Sequence, residues 1–267
     1  MTGTPPSQLA AQIESWSAGI AFELDFWTDI ARTRGGRWPD DFASRMDPAT
    51  PIAPWIEAMA RAEGRTDWRV LDVGAGPVTM LGHRPPSDLR IEIVATDPLA
   101  AAYVRIFAGL DLQRPNETIF APAEELSAFF PAAAFDLVHC RNALDHSFDP
   151  LRGIAEMLRV VRVGGRIVLS HMANEAEREG YSGFHQHNFQ NVDGRFVIWN
   201  VTGRTDVGAS LPVACDVQTK GADSVNVSIT KRAEFPDDGA GLFRSRLAAT
   251  LEGLTDFLVV RSGALRR

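Results

Sequence analysis

The chain has 267 residues, 45% of them hydrophobic and 23% charged, the proportions of an ordinary globular protein with room for one large domain. A formal net charge of −7 argues against wholesale nucleic-acid binding, and only two cysteines, Cys140 and Cys215, occur, so a disulfide framework or structural zinc site is not expected. No metal-ligand set stands out, the first residues lack a secretory pattern, and no apolar run approaches membrane-spanning length; a cytoplasmic protein with no membrane partner is expected.

Leu9, Ile13, Trp16, Ile20, Leu24, Trp27 and Ile30 recur at helical spacings, predicting a helix over residues 7–34 that is interrupted near Gly19. Residues 35–48 are rich in turn formers and mix aromatics with arginines, among them Arg37, Trp38, Phe42 and Arg45. A second helix is expected from about Pro54 to Glu63, stopped by Gly64. Residues 1–66 therefore read as a helical preface.

Val70, Leu71 and Val73 form a buried strand that breaks at Gly74-Ala-Gly76. Two glycines there let the backbone turn sharply and come close to a ligand. A dinucleotide fold would want a third glycine, but Thr79 stands in that position. Asp72 would face a pyrophosphate badly and an ammonium group well. A short helix is expected next, then a strand from Arg90 to Asp97. Asp97 lies about 20 residues past the glycines, where an acid can accept hydrogen bonds from both ribose hydroxyls. The alternative role for Asp97 is to cap the helix expected over Leu99–Leu110, with Pro98 at its start.

A weak strand, Thr118–Ala123, precedes Glu124. Phe135–Asn142 is a clear fourth strand, followed by Asp145-His146, a helix over Leu151–Val161, a Gly164-Gly165 turn and a fifth strand, Arg166–Ser170. Residues 173–204 read as an insertion folding over the carboxyl edge of the sheet, with a hairpin at Asp193-Gly194. A helix near Thr205–Leu211 and strands near Ala214–Thr219 and Ser224–Lys231 follow, with a further helix expected over Leu242–Leu254 and an apolar run over residues 257–260.

Asp72-x-Gly74-x-Gly76, Asp97, the Asp136–Asn142 strand and the Gly-Gly turn, at these intervals, resemble the class I S-adenosylmethionine-dependent methyltransferases of small-molecule type. The resemblance covers roughly residues 68–170. It implies an α/β fold: a Rossmann-like, doubly wound, seven-stranded, mostly parallel sheet with an antiparallel last strand. In such enzymes an N-terminal helical preface often forms a lid, so residues 1–66 are the expected lid and 67–267 the cofactor domain; the compatible alternative is that these helices simply cover one sheet edge. The implied cofactor is S-adenosyl-L-methionine, held by Asp72, Gly74, Gly76, Pro77, Asp97, Pro98, Ala123, Glu124, Arg141 and Asn142. Two positions depart from the family: Pro122 replaces an expected Asp at the adenine site, and Val163 replaces a Pro.

The implied reaction is methyl transfer to an O, N or S atom of a small-molecule acceptor by in-line displacement, in a monomer or homodimer. An alcohol or phenol acceptor would need a base, for which histidine is suited. His146, His185 and His187 are the candidates, His146 alternatively a packing or helix-capping residue; His185 and His187, two apart, would share a face of a strand, turned either into the cleft or to solvent at a hairpin edge. His139 and Cys140 read as packing residues. Arg37, Arg45 and Arg141 are candidate anion clamps. Trp38 and Tyr181 are candidate acceptor contacts, and Phe42 and Trp199 candidate pocket walls. The competing readings are a nicotinamide-dependent oxidoreductase and a non-catalytic S-adenosylmethionine-binding protein.

Overall fold

The computed structural model describes residues 6–235, 253–255 and 258–259. Three helices precede the first strand: α1 (Pro6–Thr33), α2 (Pro39–Met46) and α3 (Pro54–Ala62). α2 and α3 open with proline, whose fixed φ and missing N–H suit a first helical turn. α1 runs unbroken through Gly19, contrary to expectation. That glycine makes room for a contact: a Cβ there would stand 2.1 Å from Phe184 Cδ1. α2 lies where only turns were expected; Asp40 and Asp41 in its first turn oppose the helix dipole favourably, and Phe42 is buried.

The remaining elements are β1 (Asp67–Val73), β2 (Arg90–Thr96), α4 (Ala100–Gly109), β3 (Thr118–Ile119), α5 (Leu126–Phe129), β4 (Phe135–Arg141), α6 (Pro150–Val160), β5 (Val161–Met172), α7 (Glu175–Arg178), β6 (Asn188–Val192), β7 (Arg195–Asn200), β8 (Gly203–Asp206), α8 (Val207–Ser210), β9 (Cys215–Lys220) and β10 (Ser224–Lys231). The main sheet has seven strands in the order β3-β2-β1-β4-β5-β10-β9. β1 to β5 pair in parallel, and β10 runs antiparallel to both neighbours. This is the Rossmann-like, doubly wound arrangement. Strand order reverses between β1 and β4, the switch point where α/β sheets open a ligand crevice at their carboxyl ends.

Side chains alternate across the sheet as strand geometry demands. Leu71, Val73, Val138, Cys140 and Leu169 pack with α6 residues Ile154, Met157 and Leu158 on one face. Trp68, Val70 and Leu137 pack on the other against α3, through Ile56 and Ala60. The short helix expected after the glycines does not form; residues 74–89 are turns and coil. α3, although it comes before β1 in the chain, covers the face that a β1–β2 crossover helix would cover.

Two further departures are local. The Gly164-Gly165 turn lies inside β5 as a bulge: Phe135 pairs with Val161, but Leu137 already pairs with Arg166. A Cβ on Gly165 would stand 2.7 Å from the Asp136 carbonyl oxygen, so glycine is required by close approach. β3 is only two residues long, shorter than expected. The 173–204 segment forms a second, three-stranded sheet, β6-β7-β8, turning at Asp193 and Gly194 with φ of 52° and 82°. Its Phe189, Phe196 and Ile198 pack into the same core as Val225, Val227 and Ile229 of β10, so the sheet covers a face of the main sheet. Only α7 and the coil before β6 reach the carboxyl edge. The helix expected over 242–254 falls almost wholly outside the described residues. No helix of the described residues is long and apolar enough to cross a membrane.

Candidate active site

A cavity of about 1280 Å³ opens at the carboxyl ends of β1, β2 and β4, roofed by α1 and α2. Its floor is the glycine bend. Gly74 and Gly76 both have φ of +66°, a region where a Cβ is strained. A side chain at 74 would meet Ala143 Cβ at 2.4 Å, and one at 76 would meet Trp27 Cζ2 at 2.6 Å. The indole of α1 therefore lies directly on the second glycine, and its Nε1 donates to Glu23 Oε1 at 2.8 Å.

Both acids flanking the bend line this cavity. Asp97, just after β2, accepts from the Gly76 N–H (3.1 Å) and the Leu99 N–H (2.8 Å), so it pins the bend to the turn that precedes α4; α4 itself has no side-chain cap. Burial pushes its carboxyl up to about 7, Glu23 opposite adds to the rise, and the backbone donors resist it. Asp72 is 2% exposed and accepts from Thr79 Oγ1 at 2.5 Å, while His139 Nδ1 stands 2.7 Å from its other oxygen. Thr79, the residue replacing a third glycine, thus holds the acid in place. His139, read from sequence as packing, is the acid's buried partner.

Glu124 is buried as well; its Oε1 accepts from the Phe148 and Asp149 N–H groups, and desolvation raises it to about 7. Pro98, Ala123, Arg141 and Asn142 also line the cavity. Asn142, with φ of 44°, accepts from the Met172 N–H at 3.1 Å and so ties the end of β4 to β5. Acidic side chains, among them Glu23, Asp72, Asp97, Glu124, Glu175 and Glu179, outnumber the three arginines, Arg37, Arg45 and Arg141, around the cavity. Such a field favours a cationic ligand and opposes an anionic one. Arg45 is already engaged, donating to Asp41 and to the Val78 carbonyl. Arg37 and Trp38 are exposed at the mouth.

Beyond the end of β4 three side chains converge. Asp145 is 2% exposed. His185 Nδ1 lies 3.1 Å and His146 Nε2 3.4 Å from its Oδ2, and the two ring nitrogens are 3.2 Å apart. His171, from β5, stands behind, its Nδ1 3.7 Å from Asp145 Oδ1. Burial alone would raise Asp145, but His146, His171 and His185 outweigh it and hold the carboxyl well below the usual range. Burial likewise opposes charge on His185, and Asp145 reverses that and raises it. His146 and His185 line the cavity.

Four candidates lie elsewhere. His187 is outside the cavity wall, buried with its Nδ1 3.4 Å from Asn200 Nδ2, and desolvation lowers it. Residues 185–187 are coil, so the two-residue alternation that grouped it with His185 does not apply. Tyr181 is turned away from the cavity, its hydroxyl accepting from Asn188 Nδ2 at 3.1 Å. Trp199 donates to Asn174 and lines no part of the cavity. Pro77 points out of the bend, its carbonyl taken by Arg114. Sequence reasoning missed Glu23, Trp27, Asp145 and His171. Asp145 and His171 follow or end adjacent parallel strands, the position from which polar residues reach a switch-point crevice.

Residues 71–169 match the family described as a methyltransferase domain. The chain is 30% identical over 163 residues to a ubiquinone biosynthesis O-methyltransferase of Paracidovorax citrulli, covering 58% of this chain and 63% of that protein. It is 32% identical over 117 residues to an uncharacterized methyltransferase of Bacillus subtilis, covering 43% of this chain and 45% of that one. The match thus spans between about half and two thirds of these relatives. Residues 71–169 thus form a methyltransferase domain. Among solved structures, the 1,6-didemethyltoxoflavin-N1-methyltransferase of Burkholderia thailandensis overlays with a TM-score of 0.39 at 18% identity, over 87% of this chain and 93% of that chain.

The family's cofactor, S-adenosylmethionine, carries a sulfonium and an ammonium but no phosphate. The donor set of this chain fits it: buried carboxylates flank the bend, the glycines keep its surface free of side chains, and no helix N-terminus follows to hold a pyrophosphate.

Proposed function

We propose that the chain moves the methyl group of S-adenosylmethionine to an oxygen, nitrogen or sulfur atom of a small-molecule acceptor beneath α1. The observation that carries this reading is the bend itself. Asp72 and Asp97 border one cavity on either side of two glycines, and the following segment has no helix. A nicotinamide cofactor would bring a pyrophosphate to an acidic wall with no phosphate-binding helix end.

In this reading the backbone of residues 74–76 lies against the cofactor, Asp97 accepts from its ribose hydroxyls, and Ala123 and Glu124 border its adenine. Asn142 and Arg141 stand at the methionine end. The bound sulfonium supplies a methyl group activated for in-line displacement. What the protein adds is placement, since bringing a nucleophile to near-attack distance accounts for much of such a rate. Residues 1–66 act as the lid in this proposal, through Trp27 on the glycine bend and Phe26 and Phe42 on the cavity wall.

The acceptor is expected to be largely apolar and to carry one ionisable heteroatom. Trp16 and Phe184, stacked with ring centres 5.4 Å apart, and Phe148 beside them form an aromatic wall next to His146. The Asp145–His146–His185 cluster then takes charge of the acceptor's proton. A general base of this type contributes about 10²–10⁴-fold. Thermal-shift titration tests the cofactor half: S-adenosylmethionine and S-adenosylhomocysteine should raise the melting temperature, whereas a shift with NAD alone would contradict the reading. Release of S-adenosylhomocysteine with a panel of phenols, amines and thiols tests the acceptor half. Binding without release on any acceptor would favour a non-catalytic binder.

A further inference from the structure

We infer that Asp145, His146 and His185 form a binding site for one divalent transition-metal ion at the acceptor end of the cavity. The inference deepens the proton-handling role given to this cluster above, putting a bound cation rather than a free imidazole lone pair in charge of the acceptor's proton; it rests on that reading for its purpose, though not for the binding itself.

The geometry is that of a coordination shell. Asp145 Oδ2, His146 Nε2 and His185 Nδ1 are separated by 3.1, 3.2 and 3.4 Å. Ligands about 2.0–2.2 Å from a tetrahedral zinc-like ion stand roughly 3.3 Å apart, and those of an octahedral ion slightly closer. Hydrogen bonding alone serves the triangle poorly. If both rings donate to the carboxylate oxygen, their two N–H groups are pressed together at 3.2 Å, whereas a cation satisfies all three lone pairs together.

A second observation lies behind the triangle. Asp145 Oδ1 and both ring nitrogens of His171 are buried without a hydrogen-bond partner, and the two residues are 2% and 1% exposed. They face each other at 3.7 Å, poised to orient the carboxylate once it is held from its other side. His146 presents its remaining nitrogen to Glu23 Oε2 at 3.8 Å. Carboxylates and imidazoles set behind the ligands are the usual support of a metal site. Two imidazoles and one carboxylate suit zinc, cobalt or ferrous ions better than magnesium or calcium. His146 and His185 border the cavity, so a coordination position is left toward the acceptor. An acceptor hydroxyl bound there would release its proton to solvent near neutral pH, as a metal-bound water does.

Full-length protein stripped with a chelator and titrated with Co²⁺ tests this directly. One ion per chain should bind, with visible d–d bands, and Zn²⁺ should displace it. His185→Ala and Asp145→Asn should each weaken binding by at least ~10-fold, the loss seen when even an outer partner is removed. Circular dichroism checks folding; should Asp145→Asn fail to fold, His185→Ala, on a partly exposed side chain, carries the test. No stoichiometric uptake, or unchanged affinity in His185→Ala, overturns the metal site. Calorimetry with S-adenosylhomocysteine on the same samples separates the two readings: cofactor binding without metal uptake rejects the metal alone, and metal uptake without cofactor binding rejects the methyltransferase reading.

Discussion

Asp97→Asn gives a sign and a size that the structure fixes in advance. Burial raises the Asp97 carboxyl from 3.8 to about 7. The folded state therefore holds this proton more tightly than the unfolded chain, and the wild type loses stability as pH rises from about 4 to about 7. At about 1.4 kcal/mol per unit, the difference of roughly three units corresponds to about 4 kcal/mol. Asparagine cannot ionise, so its pH-dependent term vanishes. It also cannot accept from both the Gly76 and Leu99 N–H groups, which costs about 1–3 kcal/mol at every pH. Urea unfolding at pH 4.5 and pH 8 should find the variant less stable at the acid end. The gap should close or reverse by several kcal/mol at the alkaline end. A stability difference that does not change with pH refutes the claim that burial, with Glu23 opposite, raises this carboxylate.

Three other outcomes are expected. Gly76→Ala should destabilise by about 2–5 kcal/mol, combining a strained φ of +66° with overpacking against Trp27. Adding Trp27→Ala should relieve only the second part, and in urea unfolding an additive double mutant, within about 0.5 kcal/mol, would deny the lid contact. His185→Ala should lower kcat by about 10²-fold or more on a phenolic acceptor while leaving S-adenosylhomocysteine affinity within a few-fold; an equal loss in both, by kinetics and calorimetry, would make it a structural residue. His187→Ala should change neither, because that ring faces Asn200 and the protein interior.

Features set by neighbours in the chain were legible from sequence. The glycine bend, the strand ending at Asp97 and the rhythm of β4, α6 and β5 each depend on local pattern, and each formed. Those set by packing at a distance were not. The expected helix after Gly76 gave way to coil because α3 supplies the apolar cover over Trp68 and Val70 from earlier in the chain. Gly19 read as a helix breaker, yet it is required by Phe184, more than 160 residues later. His185 and Asp145 are 40 residues apart and meet because β5 and α7 bring the coil before β6 back over β4. The two-residue spacing that linked His187 to His185 belongs to strands, and that stretch is coil. The missed Glu23 and Trp27 lie on α1, whose register against the sheet no local pattern encodes.

Isothermal calorimetry of the full chain with S-adenosylhomocysteine, beside Asp97→Ala and with NAD as the control ligand, tests the central claim most directly. One site per chain, at least about tenfold weaker in the variant, with no heat from NAD, is the predicted result. Saturable heat from NAD with none from S-adenosylhomocysteine would contradict it.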